Sequence, residues 1–575
     1  MSYKNVGFMP DIAYPRSIFS MPKTHKTSWL HGDLVPLHCF RVQPGDSFSL
    51  KLSNIIRMST PLVPFMDGIV MNIRAVFVPL RLLWEHWQEF IGANKGAGYQ
   101  QNSYLLPANQ LVNLADFSSW SQYANQGLSY ALGKNLHSVN GVLNDTNVAS
   151  AAYSVLKERG YYFIWNKLFR STQLQAEYSV SLSDGTTISE GGTIYRYAQV
   201  LTSDNTVKKV CGHKLLKVNK MHDYFVDNCL SPQYGESVTI GLSDYAPVIT
   251  TDDADYFVAA KDKPGLKFGA ISSGLAADTG MLGIANSELY DDTSGTPHAG
   301  YKVVPTNLVA DLTKATATTV NQLRYAFATQ RWLERANYGG NNYYSIIAVH
   351  FGIMNPMATM QMPEYLGGVE YNINVNQVTN QSGFAAGTTT VLGEVGAVSV
   401  TARKDDFIFR KGFTEFGFVY ILGYTKHYRS YGQGLPREDL LVDNKYELMW
   451  PEFMNIGDQK TLIAEIFAGS NTPLQGFGYQ ESWAEYKFFH DTVSGLLNPS
   501  LPSGSLGQWS LADYYSSEPN LSSSWLQEDR NAISRVLKTG ATGPDFIGDF
   551  AFKYTASRII NIKKLPGLID HVGLL

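Results

Sequence analysis

Stretches in which apolar residues recur at every second position, far apart in the chain and separated by long runs of turn-forming residues, limit this sequence to a β core with elaborate loops. Ile347, Val349, Phe351 and Ile353 form one such stretch; Val369, Tyr371, Ile373 and Val375 form a second; Thr414, Phe416, Phe418, Tyr420 and Leu422 form a third. Side chains alternate across a strand, so this period predicts strands with one face buried. The intervals, such as 181–193 and 250–306, are rich in Gly, Ser, Thr, Asn and Asp, residues that turn the chain or end regular structure. Helical pieces are expected only near 153–169 and 323–336. A parallel α/β fold would need helices alternating regularly with strands, and that rhythm is absent. An all-β dominated fold fits best: an eight-stranded antiparallel jelly roll with long loop insertions and a few short helices. No repeat of solenoid or propeller length occurs.

The block from Pro22 to Phe90 carries the densest structural signals. Pro44-Gly45-Asp46 is a turn, since Pro presets φ and Gly tolerates φ > 0; Phe48, Leu50 and Leu52 then alternate as a half-buried strand. Pro61, Pro64 and Pro79 bracket the apolar run 69–78. Leu83, Trp87 and Phe90 follow at helical spacing, predicting a short aromatic helix over 82–90.

Composition narrows the functional class. Aromatics make up 13% of the 575 residues and charged residues 17%, a balance that suits large buried interfaces, where aromatics are enriched and Lys and Glu depleted. No stretch reaches the ~18 uncharged apolar residues of a membrane span, and the start "MSYKNVGFMPD" has no apolar signal core. The chain is expected to be made and kept in a cytoplasm, without membrane insertion. Cys39, Cys211 and Cys229 are too few for a disulfide framework. Cys211, His213, His222 and Cys229 lack the paired short loops of a zinc site, so no metal is assigned.

The net charge of −4 hides an asymmetry: residues 1–57 carry +4, the tail from Lys553 carries +3, and residues 58–552 carry −11. Positive ends flanking an acidic middle suggest ends that face a polyanion. Enzyme signatures are missing: the sequence has no phosphate loop, G-x-S-x-G elbow, H-E-x-x-H or EF-hand loop, and no catalytic residue or cofactor is assigned. Asp252-Asp253, Asp291-Asp292 and Asp405-Asp406 read as solvated loop charges, and His350 as a core residue of an apolar strand.

The blocks "PKTHKTSW", "VQPGDSF", "STPLVPFMDG" and "FVPLRLLWEHWQEFIG" resemble the N-terminal part of the major capsid protein of microviruses, in its gokushovirus branch. "HDYFVDNCLSPQYG", "NQLRYAFATQRWLERANYGG", "HFGIMNPMATMQMPEYLGG", "YGQGLPRE" and "WPEFMNIGDQ" follow in order, so the resemblance runs from about Pro22 to Leu497. Departures occur at Ala336-Asn337 and Ile353-Met354-Asn355. The resemblance implies a single jelly-roll capsid domain over 1–575, repeated about sixty times in a T=1 icosahedral shell around circular single-stranded DNA. It further implies an internal scaffolding protein, a DNA pilot protein, a small basic packaging protein and a bacterial cell-surface receptor as partners. Assembly would take place in the host cytoplasm. A large insertion would build a threefold protrusion, with 236–319 the first candidate and 179–220 the second.

Within that frame, 1–57 and 553–575 would face the shell interior. Cations near aromatics suit phosphates and unpaired bases, which nominates Arg16, Lys23, His25, Lys26, Lys553, Tyr554, Arg558, Lys563 and Lys564. Trp84, Trp87, Trp450, Phe453 and Trp483 are nominated as subunit-interface anchors. Two other classes stay open at this point. A carbohydrate-binding or carbohydrate-cleaving jelly roll would need two carboxylates in one aromatic-lined cleft. A monomeric nucleic-acid binder would need a dense basic stripe.

Overall fold

The computed structural model describes residues 16–93, 127–133, 153–180, 215–238, 320–339, 342–354, 356–379, 395–440, 444–501, 505–540 and 543–560, together with a few short pieces between them. By internal contacts the chain forms two compact units, one of Met1–Tyr234 with Glu334–Leu575 and one of Gly235–Leu333.

The first unit is built on eight long strands: β1 Ser17–Trp29, β2 Val35–Val42, β3 Ser47–Met58, β4 Ile69–Pro79, β5 Glu364–Ile373, β6 Val400–Gly412, β7 Gly417–His427 and β8 Phe546–Arg558. They make two four-stranded sheets, ordered β1-β8-β3-β6 and β2-β7-β4-β5. Every neighbouring pair is antiparallel. Successive strands β1 to β4 alternate between the sheets, the connectivity of a jelly roll, in which the doubled sheet buries both inner faces.

Sequence pattern explains the layering. In β3, Phe48, Leu50, Leu52 and Ile56 are buried while Lys51, Ile55 and Arg57 are exposed, so one face meets the core and the other does not. The turn before it has Gly45 at φ +87°, a conformation that a Cβ disfavours, and its N–H donates to Phe413 O at 2.7 Å. Inward residues of the first sheet, among them Phe48, Leu50, Phe550 and Phe552, meet Met71, Ile73, Phe77, Val419 and Ile421 of the second. The second sheet is also covered on its far side: Val76, Val78, Phe418, Tyr420 and Leu422 pack against Trp84, Trp87 and the helix α1, Leu156–Ile164. Burial on two sides is why the run 69–78 is apolar at eight of ten positions, Asn72 and Arg74 excepted, rather than alternating.

Two local expectations fail. Instead of one helix over 82–90, the chain makes a 3-10 turn at Leu80–Leu82 and a single helical turn at Trp87–Phe90. The ladder between them is interrupted because Arg159 Nη1 donates to Leu83 O at 3.1 Å and Glu85 N donates to Leu182 O at 3.0 Å. The stretch around Ile347–Ile353, expected as a strand, is helical. Helix α2, Val320–Gly339, is followed by α3, Tyr343–Phe351, and Gly352 in the left-handed region at φ +70° ends it. A run apolar on nearly every position satisfies either period, and here the helical one wins. His350 accordingly sits on a helix.

The second unit carries nested antiparallel pairs: Val248–Thr250 with Leu308–Ala310, Phe268–Ile271 with Lys302–Pro305, and Leu282–Ala285 with Glu288–Asp291. The pairs are nested in sequence order, each inner pair lying between the two segments of the next. The expected insertion 236–319 lies within it. Most of the second candidate, 179–220, lies outside the described residues.

Candidate nucleic-acid face and assembly surfaces

Strands β1 and β8 come from opposite ends of the sequence, yet they pair along their whole length, from Ser17 opposite Arg558 to Trp29 opposite Phe546. The two positive ends of the chain thereby become neighbours in one sheet. Because paired residues share a face, register sorts their cations. Lys26, Lys51, Arg57, Lys553 and Arg410 fall on the face turned away from the core, in the rows Lys26–Asp549–Ile55, Lys553–Lys51, Ile547–Arg57 and Ser49–Arg410. All five cations are exposed.

Two carboxylates temper this face. Lys553 Nζ lies 2.6 Å from Asp405 Oδ1, and Lys26 Nζ lies 3.9 Å from Asp549 Oδ2. The hydrogen bond from Lys553 holds the Asp405 carboxyl below its ordinary range, with Lys404 and Lys51 adding to the effect. Asp406 is paired with Arg403 at 3.1 Å. The Asp405-Asp406 pair is thus a set of counter-ions for the sheet's cations. Five cations against Asp405 and Asp549 leave a surplus of three positive charges. Apolar side chains share the face: Phe407 is 57% exposed, Ile547 51% and Ile55 46%, the mixture of charge and flat apolar surface that suits backbone phosphates and unstacked bases.

The nominated residues divide. Lys26 and Lys553 lie on this outer face, and Arg16, also exposed, immediately precedes β1. Lys23 and His25 point the other way along β1, in the rows of Phe552 and Phe550. Burial and Lys157 lower the Lys23 ammonium, and burial and Lys23 lower His25. Arg558 is tied to Asp46 at 3.0 Å and lies over the Phe48 ring. Tyr554 is corrected from base-stacking candidate to core residue: it is 3% exposed and its hydroxyl meets His38 Nδ1 at 2.6 Å. Lys563 and Lys564 lie outside the described residues. The residues not nominated from sequence are Lys51, Arg57, Arg410 and Phe407; the first two were visible as the polar half of an alternation whose apolar half is Phe48, Leu50 and Leu52.

The nominated aromatic anchors also divide. Trp84 and Trp87, at 0% and 7% exposure, belong to the subunit's own second core and have no face to offer a neighbour. Trp450 is 45% exposed, its indole N–H donating to Lys445 O. Phe453 is half-buried against Tyr446, and Trp483 donates to Phe453 O at 3.0 Å. Around them Met454, Ile456, Tyr486, Phe488, Phe489 and Leu496 are all more than half exposed, Phe489 by 90%. Apolar exposure concentrated in one segment marks an interaction surface. Helix α3 buries none of its residues, and Tyr343 and Phe351 on it are 72% and 73% exposed.

Comparison with known proteins gives concordant results. The profile of the family described as capsid protein (F protein) matches residues 9–568. Capsid protein VP1 of Spiroplasma virus 4 is 28% identical over 571 residues, covering 96% of this chain and 95% of that protein. Capsid protein VP1 of Bdellovibrio phage phiMH2K is 29% identical over 562 residues, covering 96% and 95%. Capsid protein VP1 of Chlamydia phage 1 is 29% identical over 605 residues, covering 97% of each.

Proposed function

The chain belongs to the capsid protein (F protein) family and is a major capsid protein of the microvirus type, and from that premise we propose that about sixty copies close into a T=1 icosahedral shell around a circular single-stranded DNA genome. The observation that carries this reading is the family match along nearly the whole chain, on a subunit whose eight strands pair as a jelly roll. The exposed apolar segment around Trp450 and Phe489 and the unburied helix α3 supply the contact surface that a closed shell demands of each subunit. The protein acts as a structural virion component rather than an enzyme.

The outer face of the β1-β8-β3-β6 sheet is turned toward the genome, with Lys26, Lys51, Arg57, Arg410 and Lys553 meeting phosphates and Phe407 meeting bases. Contact of this kind is independent of sequence, as packaging a whole genome requires. The unit Gly235–Leu333, inserted in the sequence between β4 and β5, forms the threefold protrusion and the surface that meets the bacterial receptor. Assembly in the host cytoplasm would engage a scaffolding protein, a DNA pilot protein and a small basic packaging protein.

Negative-stain electron microscopy of the purified chain, expressed alone and with its neighbouring viral genes, tests the reading. Closed shells of uniform diameter from either preparation support it, and shells only from the second assign a scaffold requirement. Monomers or small oligomers from both preparations would refute it.

A further inference from the structure

Three side chains distant in sequence meet at a fully buried point. His31 follows β1, His427 is the last residue of β7, and Glu528 follows the short helix Ser523–Leu526; each is 0% exposed. Their ligand-type atoms form a nearly equilateral triangle. His31 Nε2 lies 2.9 Å from His427 Nδ1 and 3.0 Å from Glu528 Oε1, and His427 Nδ1 lies 2.8 Å from the same oxygen.

Protons cannot satisfy all three edges. If both imidazoles donate to Glu528 Oε1, two N–H groups are forced against each other across the 2.9 Å edge. If His427 Nδ1 instead accepts from His31, two lone pairs face each other across the 2.8 Å edge. One cation above the triangle resolves this, since all three atoms then point lone pairs at one centre. An ion ~2.1 Å from each atom would see them at roughly 85–90°, the facial arrangement of two histidines and a carboxylate.

The surroundings fit a bound ion. His31 Nδ1 is held by Thr425 Oγ1 at 3.2 Å, the outer-shell contact that fixes a ligating imidazole. Among the described residues Glu528 Oε2 and His427 Nε2 are buried without a hydrogen-bond partner; the carboxylate oxygen is available as a further ligand atom, whereas the Nε2–H of a His427 ligating through Nδ1 meets no acceptor. Arg429 Nη2 donates to Glu528 Oε1 at 2.6 Å, occupying one of that oxygen's two lone pairs. Further charged groups surround the site: Arg429 also pairs with Asp513, which Lys220 approaches at 3.7 Å, and Asp545 Oδ2 accepts from His31 N at 2.8 Å while pairing with Arg530.

We infer that His31, His427 and Glu528 form a structural site for one divalent first-row transition-metal ion of facial coordination, cobalt and zinc being the probe ions, which ties β1, β7 and the segment before β8 together. Imidazole nitrogens favour such ions over magnesium or calcium, which take oxygen ligands. With every ligand buried, the ion enters as the chain folds.

The test uses full-length protein expressed in zinc- or cobalt-supplemented medium and washed with EDTA while folded, so that surface metal is removed. Expected are about one equivalent of metal per chain and, for cobalt, visible d–d absorption of a nitrogen-ligated ion, with at least a tenfold loss of metal in His427→Gln. Less than about a tenth of an equivalent from both media, or full retention in His427→Gln, overturns the inference. Should His427→Gln yield no soluble protein, the wild-type cobalt spectrum decides: nitrogen-ligated d–d bands support the site, and their absence overturns it.

Discussion

Replacing Lys51 and Lys553 together by Gln removes two adjacent cations from the outer face of the β1-β8-β3-β6 sheet, where register places them side by side. With a surplus of three positive charges on that face, the affinity for single-stranded DNA should fall with salt at a slope of roughly −2 in log K against log[salt]. The wild type then loses about 20-fold in affinity between about 50 and 200 mM salt. The double variant keeps a surplus of one, a slope of roughly −0.7 and a loss of only about threefold. Asp405→Asn works in the opposite direction, because it releases Lys553 from its 2.6 Å ion pair. That variant should bind more tightly, with a slope near roughly −2.8. Fluorescence anisotropy of a labelled oligothymidine with unassembled subunits measures all three, and circular dichroism checks that the exposed substitutions leave the fold intact. Coinciding slopes, or weaker binding by Asp405→Asn, would refute the assignment of this face to the genome.

Phe407→Ala should weaken the same binding by about 1–3 kcal/mol without altering the salt slope, since stacking carries no counter-ion; an altered slope with unchanged affinity at low salt would count against it. Phe550→Ala, at a fully buried ring 5.9 Å from Trp29, should destabilise the subunit by about 3–5 kcal/mol in denaturant unfolding. Gly367→Ala should reduce soluble yield and stability: Gly367 has φ +149° at the bulge in β5, and a Cβ there would lie 2.3 Å from Ile408 O. His38, lowered to about 3 by burial and by Lys23, Lys157 and His25, stays neutral when folded. The unfolded chain takes up that proton below about pH 6.5, so His38 contributes stability that is full above that pH and is lost as pH falls toward 3, by about 1.4 kcal/mol per unit. Asp33, raised to about 6 by burial, acts with opposite sign between about pH 4 and 6. The difference between wild type and His38→Gln in pH-dependent unfolding isolates the histidine; parallel curves would contradict the assignment.

Much of the jelly roll was legible because alternation in β3 and the mostly apolar run of β4 record directly how many faces each strand buries. Short helical signals misled where tertiary partners took the backbone groups, as Arg159 does at Leu83 O. A run apolar on nearly every position, such as Tyr343–Phe351, carries no period that separates strand from helix. The charge asymmetry pointed to the two chain ends, but only pairing of β1 with β8 shows which cations share a face: Lys26 and Lys553 do, while Lys23 and His25 turn the other way. Tryptophans are equally ambiguous by type: Trp84 is core and Trp450 is surface. The triangle of His31, His427 and Glu528 had no sequence signal, since its members lie 396 and 101 positions apart and meet only through the fold.

Charge-detection mass spectrometry of emptied particles tests the central claim most directly. Sixty copies of a 63.8 kDa chain predict a single protein shell of about 3.8 MDa. A dominant mass at another multiple of the chain, or the absence of any particle above small oligomers, would contradict a T=1 shell.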